Sequence, residues 1–309
     1  MPRQVLVTGG AGFIGSHLVE RLLAAGDDVL VLDDLSTGRC DNLPRGVRLV
    51  RGDVRDADLL DRLLADAGTV FHLAAMVSVQ ACIAHWQAGH GVNLGGTLAV
   101  LQAARRAGNL PVIYASSAAV YGDQGSDQCH ETSLPLPLSP YAADKLAGEH
   151  QARAMAAVHG LPSVGLRFFN VYGPRQDAAS PYAGVISRFC ANRRADRPHL
   201  VFGDGGQSRD FIHVRDIVEG LLAARRFLGR APGAEVFNLC TGTGTTLLDL
   251  VAAIDAVAGR GPSRIEHAPA RQGDIRSSCG SPAAARARLG FKAGVDMAEG
   301  LRDLWQAPG

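Results

Sequence analysis

The sequence predicts an α/β protein: a Rossmann-type, doubly wound parallel sheet joined to a smaller, discontinuous second domain. Short apolar runs alternate with helical patterns through the first half of the chain, and the first run leads into a glycine-rich turn that opens a helix. Beyond about residue 170 this alternation gives way to long loops, which are typical of segments that bind a ligand. These observations together favour a nucleotide-binding sheet with a second domain beside it.

The alternation is clearest at the start of the chain. The runs QVLVTGG, DVLVLDD, VRLVRGD and TVFHLAA are short and apolar, and the segments SHLVERLLAAG and ADLLDRLLAD between them have helical periodicity. Strands that are joined through helices run parallel, and helices then cover both faces of the sheet. The pattern continues through GTLAVLQAARRAG, LPVIYASS, the helix opened by SPYAADK, and SVGLRFFN.

The later segments divide between two domains. RDFIHVRDIVEGLLAARRFL and EVFNLCTG predict a helix and a strand that return to the first sheet, so we expect residues 1–170 and about 211–242 to form the first domain. Residues from about 171 to 210 and from 243 to 309 then form the smaller domain, which includes the loops VYGPRQDAASPYAG and FGDGGQSRD.

The composition excludes several classes of protein. Lys and Arg total 31 against 30 Asp and Glu, so no long-range field favours nucleic acid or a membrane surface. The six cysteines form no C-x-x-C pair and the ten histidines show no metal-ligand spacing, so we expect buried thiols, a reducing compartment and no metal site. No uncharged apolar stretch reaches about 18 residues, which favours a cytoplasmic protein without a membrane span.

The turn GGAGFIG, from Gly9 to Gly15, has the spacing of a dinucleotide-binding loop. Because it follows a strand and opens a helix, Gly9, Gly12 and Gly15 would let the backbone approach a pyrophosphate at the positive end of the helix dipole. Asp33 ends the second strand, where a carboxylate binds the adenosine ribose hydroxyls and repels a 2′-phosphate, which favours NAD over NADP. The alternatives are a glycine-rich turn without a ligand and an aspartate that only caps a strand end.

Two further strand ends are expected to complete the cofactor site. Asp53 and Val54 follow the third strand, and Leu73, Ala74 and Ala75 follow the fourth. The carboxyl ends of neighbouring parallel strands face the same crevice, so these residues would meet the adenine and the phosphates.

The stretch SPYAADK contains Tyr141 and Lys145, which lie four residues apart on one face of a predicted helix. Ser139 is expected to be the N-cap of that helix and Pro140 its first residue. Such a pair is also common on ordinary helix surfaces. A catalytic role is favoured by the preceding strand, which ends with Ser117 at the sheet edge where ligands of open α/β folds bind.

A tyrosine that acts as a base at neutral pH must lose its proton readily, although its ordinary pKa is about 10. A neighbouring lysine ammonium and an oxidised nicotinamide would both favour the phenolate. A fall of about three units in the pKa of Tyr141 corresponds to a free-energy difference of about 4 kcal/mol. With that fall in its pKa, Tyr141 could take a hydroxyl proton while a hydride leaves for the nicotinamide.

Several motifs together resemble the UDP-galactose 4-epimerase family, including its UDP-N-acetylglucosamine 4-epimerase members, in the extended short-chain dehydrogenase/reductase superfamily. They are TGGAGFIG, SSAAVYG, the Tyr-x-x-x-Lys pair, LRFFNVYGP and SRDFIHVRD. The resemblance implies a nucleotide-sugar-binding second domain, a tightly held NAD, and Ser117, Tyr141 and Lys145 as the catalytic triad. It also implies reversible oxidation at sugar carbon 4, through a 4-keto intermediate that turns over and receives the hydride on its other face.

The same resemblance implies further contacts with the cofactor and the substrate. Additional NAD contacts would come from Phe13, Ile14, Asn93 and Phe168, besides Tyr141 and Lys145. Contacts with a UDP-sugar would come from Ser117, Asn170, Val185, Phe202, Arg209, Arg271, Asp274 and Ser278. In this set Asn170 would lie near the phosphates, and Arg209 and Arg271 would hold the diphosphate. Asp274 would bind the uridine ribose, and Phe202 would pack on uracil. Guanidinium suits phosphate because it offers paired donors and stays charged, although each of these residues could also be an ordinary surface or core side chain.

Two departures from the family pattern concern the substrate. Val77 stands where members often have a lysine, which removes one polar contact with the sugar. Ser278 stands where members restricted to glucose and galactose have a bulky tyrosine. Because a small side chain leaves room beside carbon 2, we expect UDP-N-acetylglucosamine and UDP-N-acetylgalactosamine to be interconverted. The alternatives are UDP-glucose or UDP-glucuronate as the substrate, and a Ser278 without any substrate contact.

Other functions remain open at this point. Related 4,6-dehydratases carry an acidic residue shortly after the serine of SSAAVYG, and Ala118 and Ala119 at this position count against dehydration. A reductase and a non-catalytic sensor of NAD or nucleotide sugar are further alternatives, although the intact triad argues against a sensor. Relatives pair the helix near VNLGGTLAVLQAARRAG with the Tyr-Lys helix across a two-fold axis, so the resemblance also implies a homodimer.

Overall fold

The computed structural model of the protein describes residues 4–177, 184–231, 233–270 and 275–307. Its strands are β1 (Gln4–Thr8), β2 (Val29–Asp33), β3 (Arg48–Arg51), β4 (Ala67–His72), β5 (Val112–Ser117), β6 (Ser163–Phe168), β7 (Asn170–Tyr172), β8 (His199–Phe202), β9 (Ser208–His213), β10 (Ala234–Leu239), β11 (Gly244–Thr246), β12 (Ile265–Ala268) and β13 (Ser277–Ser278). Its α-helices are α1 (Phe13–Ala24), α2 (Ala57–Leu64), α3 (Val79–Ala84), α4 (Trp86–His90), α5 (Gly96–Arg106), α6 (Pro140–His159), α7 (Val185–Arg194), α8 (Val214–Leu228), α9 (Leu247–Ala258) and α10 (Met297–Gln306). Short 3₁₀ segments lie at Cys40–Asn42 and Ala118–Tyr121, and π-helical turns at Gly91–Gly95 and Ala285–Leu289.

The main sheet has seven strands in the order β10-β6-β5-β4-β1-β2-β3, and each neighbouring pair is parallel. The chain builds outwards from β1 through β2 to β3, then returns to the other side of β1 and builds outwards again from β4. This reversal leaves a crevice at the carboxyl ends of β1 and β4, where open α/β sheets bind ligands. The predicted Rossmann-type doubly wound fold is confirmed.

The apolar runs form buried strands because helices cover both faces of the sheet. β2 and β6 are buried along their whole length, so neither shows the alternation of a half-exposed strand. Successive side chains of β1 point to opposite faces: Val5 and Val7 join one core cluster, and Leu6 joins the other. The first cluster includes residues of α1 and α8, and the second includes residues of α2, α5 and α6.

The remaining strands form two small sheets. β9 pairs with β11 in the antiparallel sense and with β7 and β13 in the parallel sense, and β12 pairs in parallel with β8. Side chains of α7, α9 and α10 pack in a separate cluster with these strands. The predicted return of α8 and β10 to the main sheet is observed, and Ala285 and Phe291 also pack in the main core. The residue limits of the two domains stay a prediction.

The burial of the cysteines agrees only in part with the burial that the sequence predicted. All six cysteines are free and four are buried. Cys40 is exposed in its 3₁₀ segment and Cys279 is half-buried after β13, so the prediction of buried thiols is wrong for these two.

Over the described ranges, no group of three or more His, Cys, Asp or Glu is placed to hold a metal ion. No helix within the same ranges is both long enough and apolar enough to cross a membrane.

Candidate active site

The glycine turn after β1 depends on the absence of side chains. Gly9 has a φ of +70°, and a Cβ there would lie 2.6 Å from the backbone nitrogen of Ala74. A Cβ on Gly15 would collide with the carbonyl oxygen of Gly9. The predicted glycines therefore allow the turn, the loop after β4 and the first turn of α1 to lie in close contact.

The amino end of α1 fits the phosphates of a dinucleotide. The helix begins at Phe13 after Gly12, and no side chain in the described part of the chain caps it or places an acidic group in its first turn. Its first backbone N–H groups therefore have no side-chain cap, and they lie at the positive end of the helix dipole, which favours an anion. Phe13 and Ile14 are half-buried at this end of the helix. Their contacts with the cofactor stay a prediction.

Asp33 lies at the end of β2, next to the glycine turn. Its Oδ2 accepts a hydrogen bond from Ala11 N and its Oδ1 from Leu35 N, both at 2.9 Å, so the carboxylate also supports the glycine turn. Burial raises the pKa of Asp33, while these two N–H groups oppose the rise. A Cβ on Gly38 would lie 2.8 Å from Oδ1, so the loop passes closely over the carboxylate. A negative group in this position suits the two hydroxyls of an NAD ribose and repels a 2′-phosphate.

Asp53 and Val54 follow β3 as predicted. Asp53 accepts hydrogen bonds from Arg55 N at 2.8 Å and from Arg55 Nε at 2.9 Å, and the bonds to the guanidinium hold the pKa of this carboxyl below its usual value. Val54 is buried against α5, where a Cβ on Gly96 would lie 2.6 Å from Val54 Cγ1. Their contacts with adenine stay a prediction.

The segment Leu73–Ala75 after β4 is held by neighbouring residues of the site. Leu73 N donates to the carbonyl of Thr8 at 3.0 Å, and Ala74 N donates to Thr8 Oγ1 at 3.3 Å. Asn93 accepts from Met76 N at 2.9 Å and donates to the Met76 carbonyl at 3.2 Å. Asn93 thus fixes the loop that lines the crevice, and its predicted direct contact with the cofactor stays a prediction.

Sequence reasoning missed a buried histidine beneath this loop. His72 contacts Thr8 Oγ1 through Nδ1 at 2.8 Å and Thr97 Oγ1 through Nε2 at 3.1 Å. Thr97 Oγ1 in turn donates to the carbonyl of Asn93 at 2.6 Å, within the π-helical turn. Burial, with a smaller effect of Lys145, lowers the pKa of His72 to about 3, so the ring is neutral at physiological pH. A histidine inside the apolar run TVFHLAA was the available signal.

The predicted catalytic pair, Tyr141 and Lys145, lies on α6, which begins as predicted. Ser139 Oγ accepts from Ala142 N at 3.2 Å, Pro140 is the first helical residue, and the helix ends at the left-handed Gly160. Lys145 Nζ donates to the carbonyl of Ala115 in β5 at 2.9 Å and lies 5.8 Å from the ring centroid of Tyr141.

The third predicted member of the triad meets Tyr141 from the sheet. Ser117 is the last residue of β5, its Oγ accepts from Ala119 N at 3.1 Å, and its hydroxyl contacts the hydroxyl of Tyr141. Ser117 is also the Cα partner of Phe168 at the end of β6. The structure therefore brings Ser117, Tyr141 and Lys145 together at the carboxyl edge of the main sheet.

The pKa values of the pair differ from the expectation. Burial raises the pKa of Tyr141 to about 12, against the effect of the Ser117 hydrogen bond. Burial lowers the pKa of Lys145 to about 8, against the effects of Cys82 and Asp144. Desolvation is the largest cause of both shifts, so the expected fall in the pKa of Tyr141 is not produced by the protein's own side chains. The contribution of an oxidised nicotinamide to that fall stays a prediction.

The predicted substrate residues lie mainly on the small sheets. Ser278 of β13 and Arg209 of β9 are Cα partners, and Arg209 Nη1 donates to the carbonyl of Ser208 at 2.8 Å. Phe202 ends β8 and is half-buried, as is Val185 at the start of α7, whereas Asn170 is exposed at the start of β7. Arg271 and Asp274 lie outside the described residues.

Asp210, which the sequence reasoning did not select, organises the neighbourhood of Ser278. Its buried carboxylate accepts from Thr241 N at 2.8 Å, Thr241 Oγ1 at 2.7 Å, Gly242 N at 2.9 Å and Gly280 N at 3.3 Å. Burial raises the pKa of Asp210, and these donors oppose the rise. The signal was its place directly after Arg209 in SRDFIHV.

Known proteins are similar to this chain in sequence and in fold. The model of the NAD-dependent epimerase/dehydratase family matches residues 5–240. A UDP-glucose 4-epimerase of Mycolicibacterium smegmatis is 40% identical over 306 residues, which cover 96% of each chain. The structure of a Thermotoga maritima UDP-glucose 4-epimerase with UDP-glucose has a TM-score of 0.92 at 34% identity, over 98% of this chain and 97% of that one. The structure of a UDP-N-acetylglucosamine 4-epimerase of Methanobrevibacter ruminantium, in complex with UDP-N-acetylmuramic acid, has a TM-score of 0.92 at 35% identity, over 98% of both chains.

The chain therefore belongs to the NAD-dependent epimerase/dehydratase family, as its motifs predicted. NAD is its cofactor, and the glycine turn, the uncapped end of α1 and Asp33 fit that dinucleotide. Within the family it is an isomerase, which confirms the predicted class of enzyme.

Proposed function

We propose that this isomerase is a UDP-sugar 4-epimerase that interconverts UDP-N-acetylglucosamine and UDP-N-acetylgalactosamine through a 4-keto intermediate. The observation that carries the proposal is the meeting of Ser117, Tyr141 and Lys145 at the sheet edge that also holds the glycine turn. The named activities of the similar proteins support the same reaction.

The triad suits proton transfer at the sugar 4-hydroxyl. Tyr141 as phenolate accepts the hydroxyl proton and as phenol returns it, so no proton is consumed over the cycle. Ser117, whose hydroxyl contacts that of Tyr141, binds the sugar oxygen and holds it beside the tyrosine. The Lys145 ammonium stabilises the phenolate. NAD, when bound, would supply the hydride acceptor and donor for carbon 4, and return of the hydride to the other face of the keto sugar would leave no net redox change.

The 3₁₀ segment after Ser117 argues against a dehydratase. Elimination of water requires an acid and a base besides the triad. The segment Ala118–Tyr121 has the sequence AAVY, and its one titratable hydroxyl, on Tyr121, donates to Asn238 Oδ1 at 2.7 Å. This segment therefore supplies a surface of methyl groups beside the triad and no free acid or base.

The small size of Ser278 supports the acetylated sugars. Ser278 is half-buried on β13 and lies directly across from Arg209, the residue proposed to hold a phosphate of the substrate. A serine here leaves more space near the sugar than a tyrosine would. UDP-glucose with UDP-galactose, or UDP-glucuronate, is the second candidate substrate.

The purified protein, incubated without added cofactor with UDP-glucose, UDP-galactose, UDP-N-acetylglucosamine and UDP-N-acetylgalactosamine in turn, tests the function. We expect each acetylated sugar to reach the same equilibrium mixture from either side. Accumulation of NADH or of a stable 4-keto product would indicate an oxidoreductase or a dehydratase instead. Binding of UDP-sugar without any conversion would indicate a sensor.

Replacement of Ser278 by tyrosine tests the specificity. We expect kcat/KM for the acetylated sugars to fall roughly 10- to 200-fold relative to the plain sugars, because the ring would occupy the space of the acetyl group. Ser278→Ala is the matched control and should keep the original preference, since it preserves the small size and removes only the hydroxyl. An unchanged preference in Ser278→Tyr would remove this residue from the specificity site.

We also propose that the protein works as a homodimer in the cytoplasm, with no nucleic acid or membrane partner. The dimer would use α5, with the π-helical turn before it, and α6, as the resemblance implies. Trp86, 61% exposed at the start of α4, offers an apolar side chain near this surface. Sedimentation equilibrium of the wild type and of Trp86→Glu tests the dimer, and a wild type that stays monomeric at micromolar concentration would contradict it.

A further inference from the structure

A buried carboxylate on α6 links the catalytic helix to the catalytic strand. Glu149 lies four residues after Lys145, on the same side of the helix. Ser116, the neighbour of Ser117, donates from Oγ to Glu149 Oε1 at 2.5 Å. Arg167 of β6 donates from Nε to Oε1 at 2.9 Å and from Nη2 to Oε2 at 2.6 Å. Both oxygens of the carboxylate are therefore engaged by the sheet.

These contacts join three elements at one point. Ser116 and Arg167 are Cα partners in adjacent strands. The Glu149 carboxylate, on α6, therefore binds one side chain from β5 and one from β6. One residue before Ser116, the carbonyl of Ala115 accepts the hydrogen bond from Lys145 Nζ. The end of β5 is thus attached to α6 at Lys145 and again one helical turn later at Glu149.

Arg167 is itself fixed in place. Its guanidinium carbon lies 4.7 Å from the ring centroid of Tyr121, and its Nη1 donates to the carbonyl of Glu131 at 3.4 Å. The side chains of Arg167 and Glu149 are only 5% and 6% exposed. A buried ion pair is not by itself a strong source of stability, because desolvation offsets much of the attraction. It does require one geometry, since any other arrangement leaves a buried charge unpaired.

We propose that Ser116, Glu149 and Arg167 are positioning residues for the epimerase reaction, which fix the register of α6 on β5 and so hold Tyr141 and Lys145 against Ser117. This inference rests on the proposed function, since it takes those three residues as the reacting groups. A slip of α6 by one residue would move Tyr141 by about 1.5 Å along the helix axis. A misplacement of about 1 Å can cost about 100-fold in rate.

The test uses variants that remove one contact at a time. Ser116→Ala deletes the hydroxyl but keeps the ion pair, and we expect kcat to fall at least about tenfold with little change in KM. Glu149→Gln removes the charge, and we expect a loss of about 100-fold in kcat. Ser116→Thr restores the hydroxyl on a residue that suits a strand, and we expect it to recover most of the lost rate.

The chain offers matched controls outside the site. Asp255 of α9 has partners of the same two types as Glu149: an arginine, Arg193, whose Nε forms an ion pair with Oδ1 at 3.0 Å, and a serine, Ser263, whose hydroxyl donates to Oδ1. Asp255→Asn should therefore lower the melting temperature without lowering kcat. Ser163 of β6 is fully buried, and its hydroxyl has no hydrogen-bond partner among the described residues, so Ser163→Ala should leave kcat unchanged and should not lower the melting temperature.

A measurement independent of turnover completes the test. The sequence has only two lysines, Lys145 and Lys292, so an amine-acylating reagent reports on Lys145 relative to the exposed Lys292 by peptide mass spectrometry. We expect the ratio of Lys145 to Lys292 labelling to rise several-fold in Ser116→Ala and Glu149→Gln, and to return in Ser116→Thr. A ratio in these variants equal to that in Asp255→Asn would overturn the inference. If the wild type converted none of the sugars, the proposed function would be contradicted. The positioning of Lys145 by Glu149 would still be tested by the labelling ratio, which does not depend on turnover.

Discussion

Replacement of Tyr141 by phenylalanine is expected to lower kcat by about 10²- to 10⁴-fold, the usual contribution of a positioned general acid or base. The change removes only the hydroxyl that meets Ser117, and it leaves the ring beside Lys145. Binding of UDP and the content of bound NAD should therefore stay close to the wild-type values. Single-turnover and steady-state rates, together with calorimetric titration of UDP, provide the measurement.

The matched control for this prediction is Tyr172→Phe. Tyr172 is also buried, but it ends β7 and packs against His213 with a centroid distance of 5.2 Å, away from the triad. We expect that variant to keep its turnover. Equal kcat values for the wild type and Tyr141→Phe would remove the tyrosine from the proton-transfer step.

Lys145→Met is expected to change the pH dependence of stability. Burial lowers the pKa of Lys145 to about 8 from 10.5, which corresponds to roughly 3 kcal/mol of penalty for the folded state at neutral pH. Methionine keeps an apolar stem of similar length and carries no charge. At pH 7 the variant should therefore have a higher free energy of unfolding than the wild type, by part of those roughly 3 kcal/mol, because loss of the hydrogen bond to Ala115 offsets the rest.

The sign of the pH effect follows from proton binding. Between about pH 8 and 10.5 the unfolded chain still holds the Lys145 proton while the folded chain has released it, so the stability of the wild type rises with pH over this interval. We expect the wild type to gain roughly 2 kcal/mol relative to Lys145→Met between about pH 7 and 10. The raised pKa of Tyr141, about 12, has the opposite effect only above about pH 10 and is common to both proteins.

Urea unfolding at several pH values measures this difference. Lys292→Met, a change at the only other lysine and at an exposed position, is the control and should run parallel to the wild type. If the free energies of unfolding of the wild type and Lys145→Met differed by a constant amount across the interval, burial of the ammonium would not destabilise the folded protein.

Local features of the site followed from the sequence because each depends on residues that are close along the chain. The helix start at Ser139 and Pro140 requires only a cap to Ala142, three residues away. The turn from Gly9 to Gly15 requires only that its own backbone pack without side chains. Tyr141 and Lys145 share a helix face through a spacing of four residues.

Features missed by the sequence analysis join distant parts of the chain. His72 lies between Thr8 and Thr97, Asp210 binds backbone groups near Thr241 and Gly280, and Glu149 meets Arg167 on a different strand. No periodicity or motif connects such pairs, since their contacts form only when the sheet is assembled. The rise in the pKa of Tyr141 within the protein itself did not follow from the sequence for the same reason, because it depends on how much of the packed protein surrounds the hydroxyl.

The sequence by itself determined the fold class, the glycine turn after β1 and the placement of Tyr141 and Lys145 on one helix face, because apolar periodicity, glycine spacing and helix capping are local physical properties. Only the tertiary structure decided that Ser117 meets Tyr141, that Ser278 lies across from Arg209, and that a buried carboxylate ties α6 to β5. These arrangements depend on strand order and on desolvation, and both arise from the packing of segments that are far apart in the chain.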